Sequence, residues 1–214
     1  METTIQTVIA TLEKLFTTFN EHFYEGKLEK PIITVSPDVT GGSYGWCSIN
    51  RLWKQEGTDG FREINLCAEH LARPFKATCA TLLHEMVHLW NLQNNVKDTS
   101  RGCSYHNKKF KSEAELRGLF VEHDTKYGWT VTTLSSETDE WINTAFSDTT
   151  KFDLHRLKLG YNAEQEDDDS EEEKPKKKST SKKYVCPSCH NSVRATKEVN
   201  ISCDDCEVKM EVEG

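Results

Sequence analysis

Residues 81–90 read TLLHEMVHLW, and the interpretation of this stretch decides the fold of everything around it. It places His84, Glu85 and His88 in the order His-Glu-x-x-His. On an α-helix, residues four apart share a face one turn apart, so the two imidazoles can converge on a single ion. Two helix histidines, each hydrogen-bonded elsewhere, would produce the same five letters. The flanking sequence has to separate these readings.

Working outward, FKATCATLLHEMVHLWNLQ (75–93) runs for about five turns without Gly or Pro, and Pro74 stands at a position suited to a first helical turn. The spacing predicts a helix over 75–93. Upstream, Ile5, Val8, Ile9, Leu12, Leu15, Phe16, Phe19 and Phe23 recur on one helical face, with Gly26 and Pro31 ending that helix. Between the two helices lie IITVSP, a strand-like run from about Ser43 to Trp53, the turn-rich EGTDG, and FREINL, which together predict a small antiparallel sheet. Downstream, the polar NNVKDTSRGCSY leads to a further helix with Asn107 as its cap and Gly118 closing it. Beyond that the signals weaken, to a strand at WTVTTL and a short helix around DEWINTAF. The fold class is α+β.

A catalytic zinc takes three protein ligands and keeps a fourth position open, so a third donor is required. The candidates are His106, in CSYHNKKF, and Glu113 or Glu115 on the following helix. His106 is preferred, because the polar loop can return the chain to the metal where that histidine begins the helix. The extended form with a glycine and a third histidine shortly after His88 is excluded, since Asn91 and Asn94 occupy those positions. Glu85 is the candidate catalytic residue: a carboxylate beside the ion can take a proton from water and pass it to a leaving amine. A purely structural site would need no such base. His22, His70, His123 and His155 lack comparable spacing and read as ordinary side chains, and the scattered Cys47, Cys67, Cys79 and Cys103 read as buried thiols.

The 214 residues allow one medium domain plus a small one. NAEQEDDDSEEEKPKKKSTSKK, an acidic block followed by a basic one, has too few apolar side chains to offset the entropy of ordering, and it predicts a flexible linker over 162–183. A body of residues 1–161 precedes it and a module of residues 184–214 follows. Cys186-x-x-Cys189 and Cys203-x-x-Cys206, thirteen residues apart, predict a second, structural zinc closed by four thiolates in a zinc ribbon. The strand-like SVRAT and VKMEVE support this. A redox dithiol would instead be a single pair in a βαβ setting. His190 follows Cys189 directly, but the four cysteines already complete a tetrahedron.

The net charge of −8 lacks the basic excess that non-specific nucleic-acid binding requires. Residues 1–163 hold 18 basic against 21 acidic side chains, so the body is not basic either. The opening residues lack a basic n-region and an apolar run, and no stretch of about 18 apolar residues occurs, so the expectation is a cytoplasmic protein with no membrane partner. The sequence is silent on oligomeric state.

In FNEHFYEGKLEKPIITV, YGWCSINRLW, EINLCAEHL, HEMVHLWN and SRGCSYHNKKF, the chain resembles the SprT-like family, which includes the Spartan-type DNA-dependent metalloproteases. The resemblance extends to the C-terminal ribbon that many bacterial-type members carry. It implies a zincin-like metallopeptidase domain with one catalytic zinc on His84, His88 and His106 and with Glu85 as base. Family members often read Gly-His-Gly around the third histidine, where this chain has Tyr105 and Asn107. The resemblance also implies a protein or peptide substrate, extending to proteins crosslinked to DNA, and hence DNA as a partner and DNA repair as a setting. The alternative is a DNA- or protein-binding adaptor of zincin fold with little catalytic activity.

Overall fold

The structure, a computed structural model, describes residues 3–38, 42–146, 152–157 and 181–213. Two compact units divide the chain, residues 1–161 and 162–214. Residues 162–180 of the expected linker lie outside the described residues.

Helix α1 (Ile5–Tyr24) starts at Thr4, whose hydroxyl accepts from the Thr7 amide while the Thr7 hydroxyl accepts from the Thr4 amide. This reciprocal pairing satisfies two of the amides a helix start leaves unpaired. Val8, Leu12, Leu15, Phe16 and Phe19 form its buried face, as the periodicity predicts. Glu25 and Gly26, both with positive φ, close it.

Strands β1 (Ile32–Ser36), β2 (Gly45–Cys47) and β3 (Glu63–Cys67) follow, in the order β1-β3-β2. The sheet is mixed, not antiparallel as the sequence reading has it: β1 runs parallel to β3, and only β2 is antiparallel to it. Alternation of side chains encodes which residues face the core, not which way a neighbouring strand runs. The strand expected over 43–53 shrinks to β2, after which Trp53 makes an isolated bridge to Phe61 across the predicted turn.

Helix α2 spans Phe75–Gln93, with Pro74 at the cap itself. It is buried nearly all round: Cys79, Leu82, Leu83, Met86, Val87 and Leu89 are among its buried residues. A helix buried on nearly every side, even where it carries polar groups such as Glu85 and Asn91, is the central element of its core. Short strands β4 (Thr99–Ser100) and β5 (Tyr105–His106) lead to α3 (Lys108–Leu116), capped by Asn107, whose Oδ1 accepts from the amides of Lys109 and Phe110. Gly118 ends the turn with φ 80°. Strands β6 (Leu119–Asp124) and β7 (Gly128–Leu134) and helix α4 (Ser136–Ala145) complete the unit as described. The second sheet runs β4-β5-β7-β6, with β5 parallel to β7. Strand β6 was not anticipated, because its exposed positions, Phe120 among them, blur the alternation.

One core joins Leu12, Leu15 and Phe19 of α1, Ile64 and Leu66 of β3, Leu82, Met86 and Leu89 of α2, Phe110 of α3, Val121 of β6 and Ile142 of α4. Burial of each such side chain stabilises by about 1.5–3 kcal/mol before ordering costs. Among the described residues no helix is long and apolar enough to cross a membrane.

The second unit is built of β8 (Lys182–Val185), β9 (Ser192–Ala195), β10 (Ser202–Cys203), β11 (Val208–Lys209) and β12 (Glu211–Glu213). Strands β12-β8-β9 form one antiparallel sheet and β10-β11 a hairpin. Its core is small: Tyr184, Cys186, Cys203 and Met210, with Ala195, Ile201, Cys206 and Val208 packed against them.

Candidate metal centres

The three histidines singled out from the sequence meet at one point. Helix α2 presents His84 and His88, and β5 brings His106 against them. The Nε2 atoms of His84 and His106 are 3.2 Å apart, and those of His88 and His106 are 3.0 Å apart. Four-coordinate zinc with Zn–N bonds of ~2.0–2.1 Å separates its ligand nitrogens by about 3.3–3.4 Å. The cluster fits such an ion closely. Its members' ligand atoms all lie within 4.8 Å of one another.

Two of the three imidazoles are held from behind, while Nδ1 of His106 is buried without a hydrogen-bond partner among the described residues. His88 donates from Nδ1 to Asp98 Oδ2 at 2.7 Å, which leaves the Nε2 lone pair facing the other two rings. Asp98 is itself buried and also accepts from Asn91 Nδ2 at 3.0 Å. His84 Nδ1 shares a 3.0 Å hydrogen bond with Thr132 Oγ1 of β7. His106 is fixed through the backbone: its amide donates to the Tyr127 carbonyl at 2.9 Å, and the next amide, of Asn107, donates to the Asp98 carbonyl at 2.9 Å. Phe110 packs against all three rings, at 4.6–4.7 Å between centroids.

Close approach of β5 to β7 depends on Gly128, whose φ is 75°. A Cβ there would stand 2.2 Å from the His106 carbonyl and 2.9 Å from the Tyr105 ring. On the other side, Gly45 of β2 lets that strand lie against α2: an added Cβ would meet the Asn65 carbonyl at 2.7 Å and Glu85 Cγ at 3.4 Å.

Burial tunes the charges. It drives the His84 pKa well below the ordinary range, reinforced by His88 and His106, and it pulls His106 down to about 4, again with His88 adding to it. For His88 burial alone would act downward, but the Asp98 hydrogen bond and the charges of Glu85 and Asp98 outweigh it and the pKa is raised. Two imidazoles that resist protonation keep their lone pairs for a metal. Glu85 is 5% exposed, and burial pushes its carboxyl up to about 7.

His84, Glu85, His88 and His106 line a cleft of about 950 Å³. Its walls are Tyr44 and β2, with Gly45, Trp46 and Cys47, and β7, with Thr130 to Leu134. Both strands have a free edge there among the described residues: β2 ends its sheet, and β5 meets β7 only at Gly128. The metal site is thus open to a channel between two strand edges.

The alternative ligands are used elsewhere. Glu113 pairs with Arg117 at 2.6 Å and Glu115 with Lys111 at 3.5 Å. His22 stacks on Trp141, and His123 meets Tyr105 and Trp129. Cys67 and Cys79 are buried thiols, with burial pushing each up to about 12, and Cys47 is partly buried. Cys103 corrects the sequence reading: it is exposed. Its segment Arg101, Gly102 and Cys103 has positive φ throughout, a turn that carries the side chain away from the core.

In the second unit Cys186, Cys189, Cys203 and Cys206 converge, with their sulfurs within 4.8 Å and the Cys189–Cys203 pair at 3.7 Å. Tetrahedral zinc with Zn–S of about 2.3 Å places sulfurs about 3.8 Å apart. The Cys189 amide, 3.5 Å from Cys186 Sγ, is the first cause that holds the Cys186 thiol down to about 7. His190 is exposed and outside the cluster. His190 and Glu207, each just after the second cysteine of its pair, have φ of 59° and 53°.

Sequence reasoning missed Asp98, Thr132 and Gly128. Nothing in NNVKDTS, WTVTTL or KYGW distinguishes them until tertiary structure brings them to the histidines.

The first unit is thus an α+β domain with a candidate metal site, an open three-histidine cluster with a buried glutamate on the same helix. The chain belongs to the SprT-like family, whose match spans residues 12–124. That span includes the three histidines and Glu85. No curated protein and no solved structure matches the chain at a significant level.

Proposed function

We propose that the protein is a zinc-dependent metallopeptidase with one catalytic and one structural zinc. The observation that carries this reading is the convergence of three imidazole Nε2 atoms in a cleft that Glu85 also lines. His84, His88 and His106 would hold the catalytic ion and the four cysteines the structural one. When bound, the ion supplies Lewis acidity and lowers the pKa of water beside it. Glu85 would accept a proton from water as the water oxygen bonds to the carbonyl carbon, and would deliver that proton to the leaving amine nitrogen as the peptide C–N bond breaks. Asp98, through Nδ1 of His88, and Thr132, through His84, keep the rings oriented.

The free edge of β2 offers backbone donors and acceptors to an extended peptide, which would lie as an added strand across the cleft. A closed four-ligand site would leave no room for this. On the same reading, the resemblance to Spartan-type members would extend the substrate class to proteins attached to DNA. The ribbon contributes little electrostatic support, since Lys182, Lys183, Arg194, Lys197 and Lys209 stand among six acidic residues.

Glu85→Gln tests the reading. The variant should retain two zincs per chain by elemental analysis while cleavage of a denatured protein falls by about 10²–10⁴-fold. Undiminished cleavage would remove Glu85 as base, whereas a zinc-loaded parent protein that cuts nothing would favour the DNA- or protein-binding adaptor.

A further inference from the structure

Arg73 lies just before α2 and lines the same cleft. Its guanidinium is fixed on three sides: Nε donates to the His70 carbonyl at 3.1 Å, Nη2 to Thr81 Oγ1 at 2.8 Å, and its plane stands 3.9 Å over the Tyr44 ring. The ionisable groups acting on it are Tyr44 and Cys67, a phenol and a thiol. Among the described residues no carboxylate pairs with it. Of the other described arginines of this unit, Arg51 and Arg62 share Glu29, Arg117 holds Glu113 and Arg156 holds Glu69, while Arg101, which lies over the Tyr105 ring, is exposed where Arg73 is half-buried. The neighbouring cleft cation, Lys76, is taken by Asp139 at 2.6 Å.

A half-buried, fixed guanidinium with unused N–H groups is a receptor for a planar anion, and its five donors suit a carboxylate bidentately. Burial already lowers its pKa, which marks the water it has given up. Thr81, its partner, sits four residues, about 6 Å along the helix, before Glu85. An extended peptide advances about 3.3 Å per residue, so a group reaching Arg73 belongs about two positions from the scissile bond.

We propose that Arg73 forms a carboxylate subsite of the cleft, selecting substrates with an acidic group about two residues from the bond that is cut. The inference rests on the peptidase reading for its location along the substrate. The carboxylate comes either from an internal Asp or Glu side chain or from the free end of a polypeptide, and the test separates these sources.

The zinc-loaded Glu85→Gln protein, as the full chain, is titrated with labelled peptides in which one Glu is moved through otherwise neutral residues. Each is compared with its Gln counterpart by fluorescence anisotropy. At one position Glu should bind about tenfold or more tighter than Gln, as a charge-assisted hydrogen bond provides. Arg73→Gln, introduced into the same protein, should bring that ratio to near one, and Arg73→Lys should restore part of it. A ratio near one at every position in the parent protein overturns the subsite without recourse to any variant. So does an unchanged ratio in Arg73→Gln. If selectivity appears only when the chain ends at that position, and is lost on amidation, the carboxylate is that of a chain end. In the protein with Glu85 intact, mapping the cuts in a denatured substrate by mass spectrometry should show the same acidic preference. Cuts without that preference overturn the subsite alone, whereas selective binding with no cuts overturns the peptidase reading alone.

Discussion

Asp98 works at two places at once. Its carboxylate accepts from His88 and Asn91, and its backbone carbonyl accepts from the amide that follows His106. It therefore ties a helix ligand to a strand ligand. Replacing it with alanine should weaken metal binding at the histidine site by about 10–100-fold, measured by competition with a chromophoric chelator, and leave the cysteine site unchanged. Equal affinity in the variant would mean that packing by Phe110 alone orients the rings. The meeting of His84, His88 and His106 was legible in the sequence because a helical repeat puts the first two one turn apart and the polar loop returns the third just ahead of a helix, although His106 lies on β5 and Asn107 is the residue that caps α3. Asp98, Thr132 and Arg73 were not legible, because which polar side chain faces a site is settled by strands and loops distant in the chain.

At the scale of elements, two short junctions carry more than their length suggests. The β5–β7 pairing is a single residue pair, His106 with Gly128, and it holds only while position 128 lacks a Cβ and keeps a positive φ. Gly128→Ala should displace β5 and release metal from the histidine site first. It should destabilise the body by about 1–3 kcal/mol in denaturant titration, the usual cost of overpacking. In the ribbon, Glu207 occupies a left-handed backbone position at φ 53° that glycine adopts without strain. Glu207→Gly should raise the ribbon's resistance to chelation by about 1 kcal/mol, read as a shift in the chelator midpoint. Helix limits were readable at α2 and α3 because Pro74, Asn107 and Gly118 punctuate the chain. The parallel pairing of β1 with β3 was not, since a strand's residue pattern is the same whichever way its neighbour runs.

Across the whole molecule, the two sites differ in what depends on them. The first unit has an extensive apolar core that needs no ion, whereas the ribbon rests on a handful of buried side chains, two of them ligands. Purified protein should carry two zincs per chain. Graded chelation should abolish hydrolysis while the ribbon's amide NMR signals persist, and stronger chelation should then collapse those signals with the body still folded. Loss of both metals in one step would contradict an open and a closed centre. Strand β2 offers only three residues of free edge beside the histidines. So short a rail cannot pry a segment out of a folded neighbour, and on the proposed reading it admits only chain that has already come loose. Discrimination between damaged and intact proteins would then be a matter of supply: what has unravelled is cut, and what remains folded never reaches the blade.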